Sequence, residues 1–278
     1  MSVSAKASYR LRYGAPVVGE PPAEWTEVLA QQLAHRSVRR YRADGEVSDE
    51  TLSALIAAAQ SAPTSGNLQL WSVVAVREDA RRHRLAALAG EQANPIQSSV
   101  AQAPLFLVWL ADLARARQVT SKTGSATAEG ADFVEAALLS FIDVALAAQN
   151  ASLAAESLGL GTVFVGAIRN KPLEVAAELG LPPNVFPVFG LTVGHPDRLE
   201  ETAVKPRLPQ EAVLHREQYS LDPAHLETYE DVLNGFYAEA GLPEGWAQRV
   251  AHRFGSVAGL KGREHLRAAL FDRGFQLR

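Results

Sequence analysis

The 278-residue chain contains no cysteine. That absence excludes disulfides, thiolate nucleophiles, iron–sulfur ligation and cysteine-bound zinc together. A reducing compartment suits such a chain, and a cytoplasmic location is expected. Neither charge dominates: 27 Lys plus Arg stand against 31 Asp plus Glu, a formal −4. Neither nucleic acid nor an anionic membrane is therefore an expected partner. The most apolar window, residues 133–160, carries Glu135, Asp143, Gln149, Asn150 and Glu156, groups too costly for a bilayer interior. The first 25 residues have no apolar run behind their basic ones, so no signal peptide is expected.

Several familiar catalytic devices are also missing. No G-x-G-x-x-G joins a strand to a helix, because Gly159, Gly161 and Gly166 have other spacing and follow a helix. There is no Walker loop, no H-E-x-x-H and no G-x-S-x-G. The seven histidines are scattered, without metal-ligand spacing, and no metal site is expected. A chain with no nucleophile or acid–base set is either a binding protein or an enzyme whose cofactor does the chemistry.

What is present reads as helices around a few short strands. Residues 1–22 look like an arm or linker, polar and ending in Pro and Gly. Apolar spacing predicts helices over Trp25–Ala34, over a stretch that Ser48 caps and Pro63 ends, and over Asp79–Ala89 closed by Gly90. Strands are expected at Ser72–Val76, Leu105–Leu110, Thr162–Gly166 and Val188–Val193. The segment Ala114–Gly130, polar and rich in small residues, reads as a mobile excursion or a lid. The longest helix, Ala131–Leu158, is apolar almost all round and belongs at the centre of the fold. A short helix is expected at Pro172–Leu179, and three more near Pro223–Ala240, Glu244–Phe254 and Arg263–Arg273.

Two cationic stretches stand out. HRSVRRYR, His35–Arg42, puts four arginines and a histidine into eight residues, a crowd that repels itself unless water or an anion relieves it. KPRLP, Lys205–Pro209, is held extended by its prolines, which places Lys205 and Arg207 on one face. A guanidinium fork beside an ammonium suits a phosphate, and a solvated basic surface is the plain alternative for both stretches. The loop PTSGNLQ adds hydroxyls and N–H groups, and Gln92 and Asn150 add amides suited to a planar heterocycle.

In this order, HRSVRRYR, AAQSAPTSGNLQLWSVVAVRE, LAGEQ, APLFLVWLAD, AAQNASLAAESLGLGTVFVGAIRN, LPPNVFPVFGLTVGHP and KPRLP resemble the flavin-dependent nitroreductase family. The group most similar is the NADPH-using oxygen-insensitive nitroreductases and flavin reductases. The resemblance runs from about His35 to Tyr219 and continues more weakly to the C-terminus. It implies an α+β fold, with a mixed, mostly antiparallel sheet around a central helix, in an intertwined homodimer with FMN sites at its interface. It implies an FMN-binding core over 23–220 and a helical extension over 221–278, while the N-terminal arm over 1–22 is longer than the family's and departs from it.

The same resemblance implies which residues bind. His35, Arg36, Ser37 and Arg39 would flank the FMN phosphate on one side, with Lys205 and Arg207 on the other, while Arg40 and Arg42 match no binding position. Thr64, Ser65 and Gln92 match positions facing the ring or ribityl chain. The turn Phe164, Val165, Gly166, Ala167 would lie along the ring, with Ala167 standing where relatives often have a second glycine. Arg263 matches an arginine that recognises the extra phosphate of NADPH. No side chain is expected to be a catalytic nucleophile, since the flavin would carry hydride from NADPH to a nitroaromatic, quinone or free flavin in two half-reactions. A non-catalytic flavin carrier or sensor would share the phosphate cations and is the alternative reading.

Overall fold

A computed structural model describes residues 4–14, 21–90, 98–124, 127–199, 202–241 and 245–278. In chain order the first elements are α1 (Ala5–Tyr13), α2 (Glu27–Leu33), α3 (Asp49–Gln60), β1 (Trp71–Val76), α4 (Asp79–Leu88), α5 (Ser98–Gln102) and β2 (Leu105–Asp112). Then follow α6 (Ala114–Lys122), α7 (Val134–Ser157), β3 (Gly161–Val165), α8 (Pro172–Glu178) and β4 (Val185–Gly194). The last elements are α9 (Pro223–Glu239), α10 (Trp246–Phe254) and α11 (Leu266–Asp272). Two compact units emerge: Met1–Arg36 with Glu201–Lys261, and Ser37–Glu200 with Gly262–Arg278.

The second unit is built on an antiparallel sheet of order β1-β2-β4-β3. Every residue of β2 is buried, and its alternation serves two cores at once. Leu105, Leu107, Trp109 and Ala111 join the core shared with α3 and α7, while Phe106, Val108 and Leu110 join that of α4 and α8. The inward stripe of α7 is mostly alanine, Ala137, Ala147, Ala148, Ala151 and Ala155, which lets the 24-residue helix lie close on the sheet. Its length and composition would suffice for a membrane span, yet nine of its residues are buried in this packing. The α+β architecture with a central helix is thus as expected.

Strand β4 begins three residues before the expected Val188. The register slips between Trp109 and Leu110, so that Pro187 faces Leu110 and Val188 is the extra residue. Such a bulge admits a proline that cannot donate to the ladder. Beyond β3, Ser37 bridges Thr162 in parallel and the Val38 N–H donates to the Thr162 carbonyl at 2.9 Å. Gly161 is required there, because a Cβ would fall 2.6 Å from Val38.

Two expectations are corrected. Residues 5–13, read as part of an arm, form a capped helix, with the Ser4 hydroxyl accepting from the Ala7 N–H. Residues 114–122 form α6 and not an irregular excursion; Arg115 donates to the Gln69 carbonyl at 3.0 Å and the Ser72 hydroxyl at 2.8 Å. Both were obscure because their inward residues are polar or small. In the first unit, α2 is shorter than expected and its Val28 is exposed. That unit has its own small core of Tyr229, Leu233 and Tyr237, against which Leu208, Phe236 and Trp246 pack.

Candidate functional site

In the first unit the head of one cationic stretch, His35 and Arg36, is tied to the segment that carries the other. Arg12 of α1 is only 6% exposed. Its guanidinium donates to the carbonyls of Leu33 at 2.6 Å and His35 at 2.8 Å, and to that of Lys205 at 2.9 Å. Its own carbonyl accepts the Arg207 N–H at 2.8 Å. Arg36 reaches the chain just ahead of Lys205, donating to the Thr202 hydroxyl at 2.5 Å. His35, Arg36, Lys205 and Arg207 are thereby carried on two segments tied side by side.

Arg36 donates to the hydroxyl and carbonyl of Thr202, and Arg207 to the carbonyls of Lys205 and Pro206. Among the described residues neither guanidinium meets a carboxylate. Lys205 Nζ stands 5.3 Å from the centre of the Tyr237 ring. Arg207 is exposed and borders a cleft of about 280 Å³ with Tyr13, Tyr229 and Trp246. Burial pushes the Tyr229 hydroxyl's pKa up, against the opposing pull of Arg207. Guanidinium groups on adjoining segments, Arg36 and Arg207, that meet only hydroxyl and carbonyl oxygens among the described residues suit a phosphate.

In the second unit, Ser37 and Arg39 lie on the segment that runs beside β3, whose far end leads into the Phe164–Ala167 turn. Inward-facing Val38 and Tyr41 pin this segment: the Tyr41 hydroxyl bonds the Val38 carbonyl at 2.7 Å and the Thr192 hydroxyl at 2.6 Å. Arg40 and Arg42 are exposed, and Arg42 bonds Asp44 through two nitrogens. That hydrogen bond and the charge behind it hold the Asp44 carboxyl below the usual aspartate range.

The loop bearing Thr64 and Ser65 is shaped by a residue that motif reading passed over. Asp143, 1% exposed on α7, accepts the Thr64 hydroxyl at 2.5 Å, the Ser65 N–H at 3.2 Å and the Leu70 N–H at 3.0 Å. The Thr64 hydroxyl in turn accepts the Gln69 N–H at 2.9 Å. Gly66, Asn67 and Gln69 adopt positive φ between 52° and 56°, a conformation unfavourable for Gln that the Asp143 anchor holds. The loop so held exposes Ser65, Asn67 and Gln69. The signal in the sequence was an acid on an otherwise small, inward-facing stripe, which must find donors.

At the turn, Gly166 is half-buried, and Ala167 is 5% exposed with its methyl in the core of α4 and α8. Phe164 meets Phe189 edge to face at 5.3 Å. Arg263 donates to Asn170 Oδ1 at 2.8 Å, and Asn170 donates to the Ala89 carbonyl. Asn150, whose amide suited a heterocycle, donates instead to the Ala58 carbonyl and ties α7 to α3. Gln92 lies outside the described residues. An apolar pocket of about 340 Å³ opens between the 64–70 loop, α6 and α7, lined by Leu68, Leu70, Ala116, Thr120 and Leu139.

The family model described as "Nitroreductase family" matches residues 33–195, and that described as "Nitroreductase family, C-terminal domain" matches 205–278. The chain is 35% identical over 257 residues to an FMN reductase [NAD(P)H] of Bacillus subtilis, covering 90% of this chain and 98% of that protein. It is 40% identical over 208 residues to an oxygen-insensitive NADPH nitroreductase of Salmonella typhimurium, covering 74% and 81%. The solved structure of B. megaterium NfrA2 superposes with a TM-score of 0.83 at 37% identity, covering 91% of this chain and all of that one.

Proposed function

The chain belongs to the nitroreductase family, and from that premise we propose that it is an FMN-dependent NAD(P)H oxidoreductase of the nitroreductase and flavin reductase type. The observation that carries the proposal is the meeting of His35, Arg36, Lys205 and Arg207 on segments bound together by Arg12. FMN held there would supply two-electron hydride transfer from NADPH to a nitroaromatic, a quinone or free flavin.

The chain's own residues bind and orient. His35, Arg36, Ser37, Arg39, Lys205 and Arg207 would hold the phosphate. Thr64, Ser65, Gln92 and the 164–167 turn would face the ring or ribityl chain. The Thr64 hydroxyl already donates to Asp143 and accepts from Gln69, so Thr64 would serve chiefly by fixing its loop. Because the Ala167 methyl is committed to the core, it leaves the outer side of the turn to backbone groups. The pocket beside the loop would admit a planar acceptor. Arg263 would take the extra phosphate of NADPH.

A homodimer goes with this reading. Val134, Leu138, Ile142 and Leu146 form an exposed aliphatic stripe along α7, 39–53% accessible, which a second copy would cover. A water-soluble cytoplasmic enzyme also goes with it, in keeping with the lack of cysteine.

Turnover separates the enzyme from a flavin carrier. Steady oxidation of NADPH with a quinone or nitrofuran is expected, and Arg263→Ala should raise KM for NADPH more than for NADH. Flavin binding without turnover would favour the carrier.

A further inference from the structure

Helix α1 lies outside both family matches, so the resemblance assigns it no role. We propose that α1 helps build the anion site and that Arg12 is its positioning residue, holding the two cationic segments together for a flavin phosphate. The proposal rests on the FMN reading above.

The helix is constructed to deliver this one side chain. Ser8 and Arg12, one turn apart, are its buried residues. Tyr9 and Tyr13 flank them, and Tyr9 packs edge-on against Trp25 at 6.1 Å. Gly14, with φ of 81° and close against Val232, ends the helix directly after Arg12 and Tyr13. Through its guanidinium and its carbonyl, Arg12 then makes four hydrogen bonds to residues 33, 35, 205 and 207.

Two physical consequences follow. The clasp holds the two segments side by side before any anion arrives, so binding spends less on ordering them. The Leu33 and His35 carbonyl oxygens are also taken up by Arg12, and the Lys205 carbonyl is held between the guanidinium groups of Arg12 and Arg207. A planar guanidinium with five donors can serve three carbonyls at fixed angles, whereas a lysine ammonium lacks that fork.

Riboflavin, which lacks the phosphate of FMN, provides the discriminating probe. Full-length wild type, Arg12→Lys and Arg12→Ala, each stripped of flavin, are titrated with FMN and with riboflavin by fluorescence quenching. Arg12→Ala should weaken FMN by about tenfold to a hundredfold while riboflavin changes by less than about twofold, with Arg12→Lys between it and wild type. Equal weakening of both flavins, or FMN affinity retained, would overturn the proposal. Should Arg12→Ala not fold, Arg12→Lys carries the same comparison. Should the wild type bind neither flavin, the FMN reading itself falls and takes this proposal with it. A wild type that prefers FMN, with variants keeping that preference, would sink the role of Arg12 alone.

Discussion

A carboxyl group on the buried face of a helix must find donors, and Asp143 finds three in Thr64, Ser65 and Leu70. Asp143→Asn would set an amide NH₂ against at least one buried N–H, and a loss of about 1–3 kcal/mol of stability is expected, measured by urea unfolding. A change within error would mean that the loop finds its shape without the anchor. Legibility at this scale follows charge and turn chemistry. Ser48 was visible as a cap because a hydroxyl followed by Asp49 and Glu50 suits a helix start, and it accepts the Thr51 N–H. Arg12 and Asp143 were not visible as organisers. Each acts on main-chain groups brought near only by the fold, and local spacing holds no record of such partners.

Among elements, those whose burial follows a period were readable. The continuous apolar run of β2 and the small-residue stripe of α7 each imply a partner surface on their own. Helix α1 escaped notice because its buried residues are Ser8 and Arg12, and α6 because none of its residues is buried. Links between elements were equally hidden. Glu178 at the end of α8 takes Arg81 and Arg84 of α4, 97 and 94 residues away. Hydrogen bonding from Arg84, then its charge, with Arg81 adding to both, holds the Glu178 carboxyl below the ordinary glutamate range. The folded value thus lies below the unfolded one. The stabilisation is complete above an unfolded pKa of about 4.3 and is lost as pH falls through the depressed folded value. Glu178→Gln should lower Tm by about 1–3 °C near neutrality, with the gap closing in acid. Thermal melts of both proteins across pH 3–7 would reveal a gap independent of pH if the link were not ionic.

For the whole molecule, the aliphatic stripe of Val134, Leu138, Ile142 and Leu146 is an apolar face that a lone chain leaves exposed. Ile142→Glu would place a charge in the proposed subunit contact and should weaken dimerisation by more than about a hundredfold. Sedimentation of wild type as a dimer and of the variant as a monomer is expected; a monomeric wild type would contradict the homodimer. The central claim is that the cationic segments gathered by Arg12 exist for a flavin. The most direct test is the visible absorption spectrum of the purified protein, followed by anaerobic addition of NADPH. Two flavin bands that bleach with NADPH are the predicted result. A colourless protein that cannot be reconstituted with FMN would contradict the account and assign these cations to some other anion.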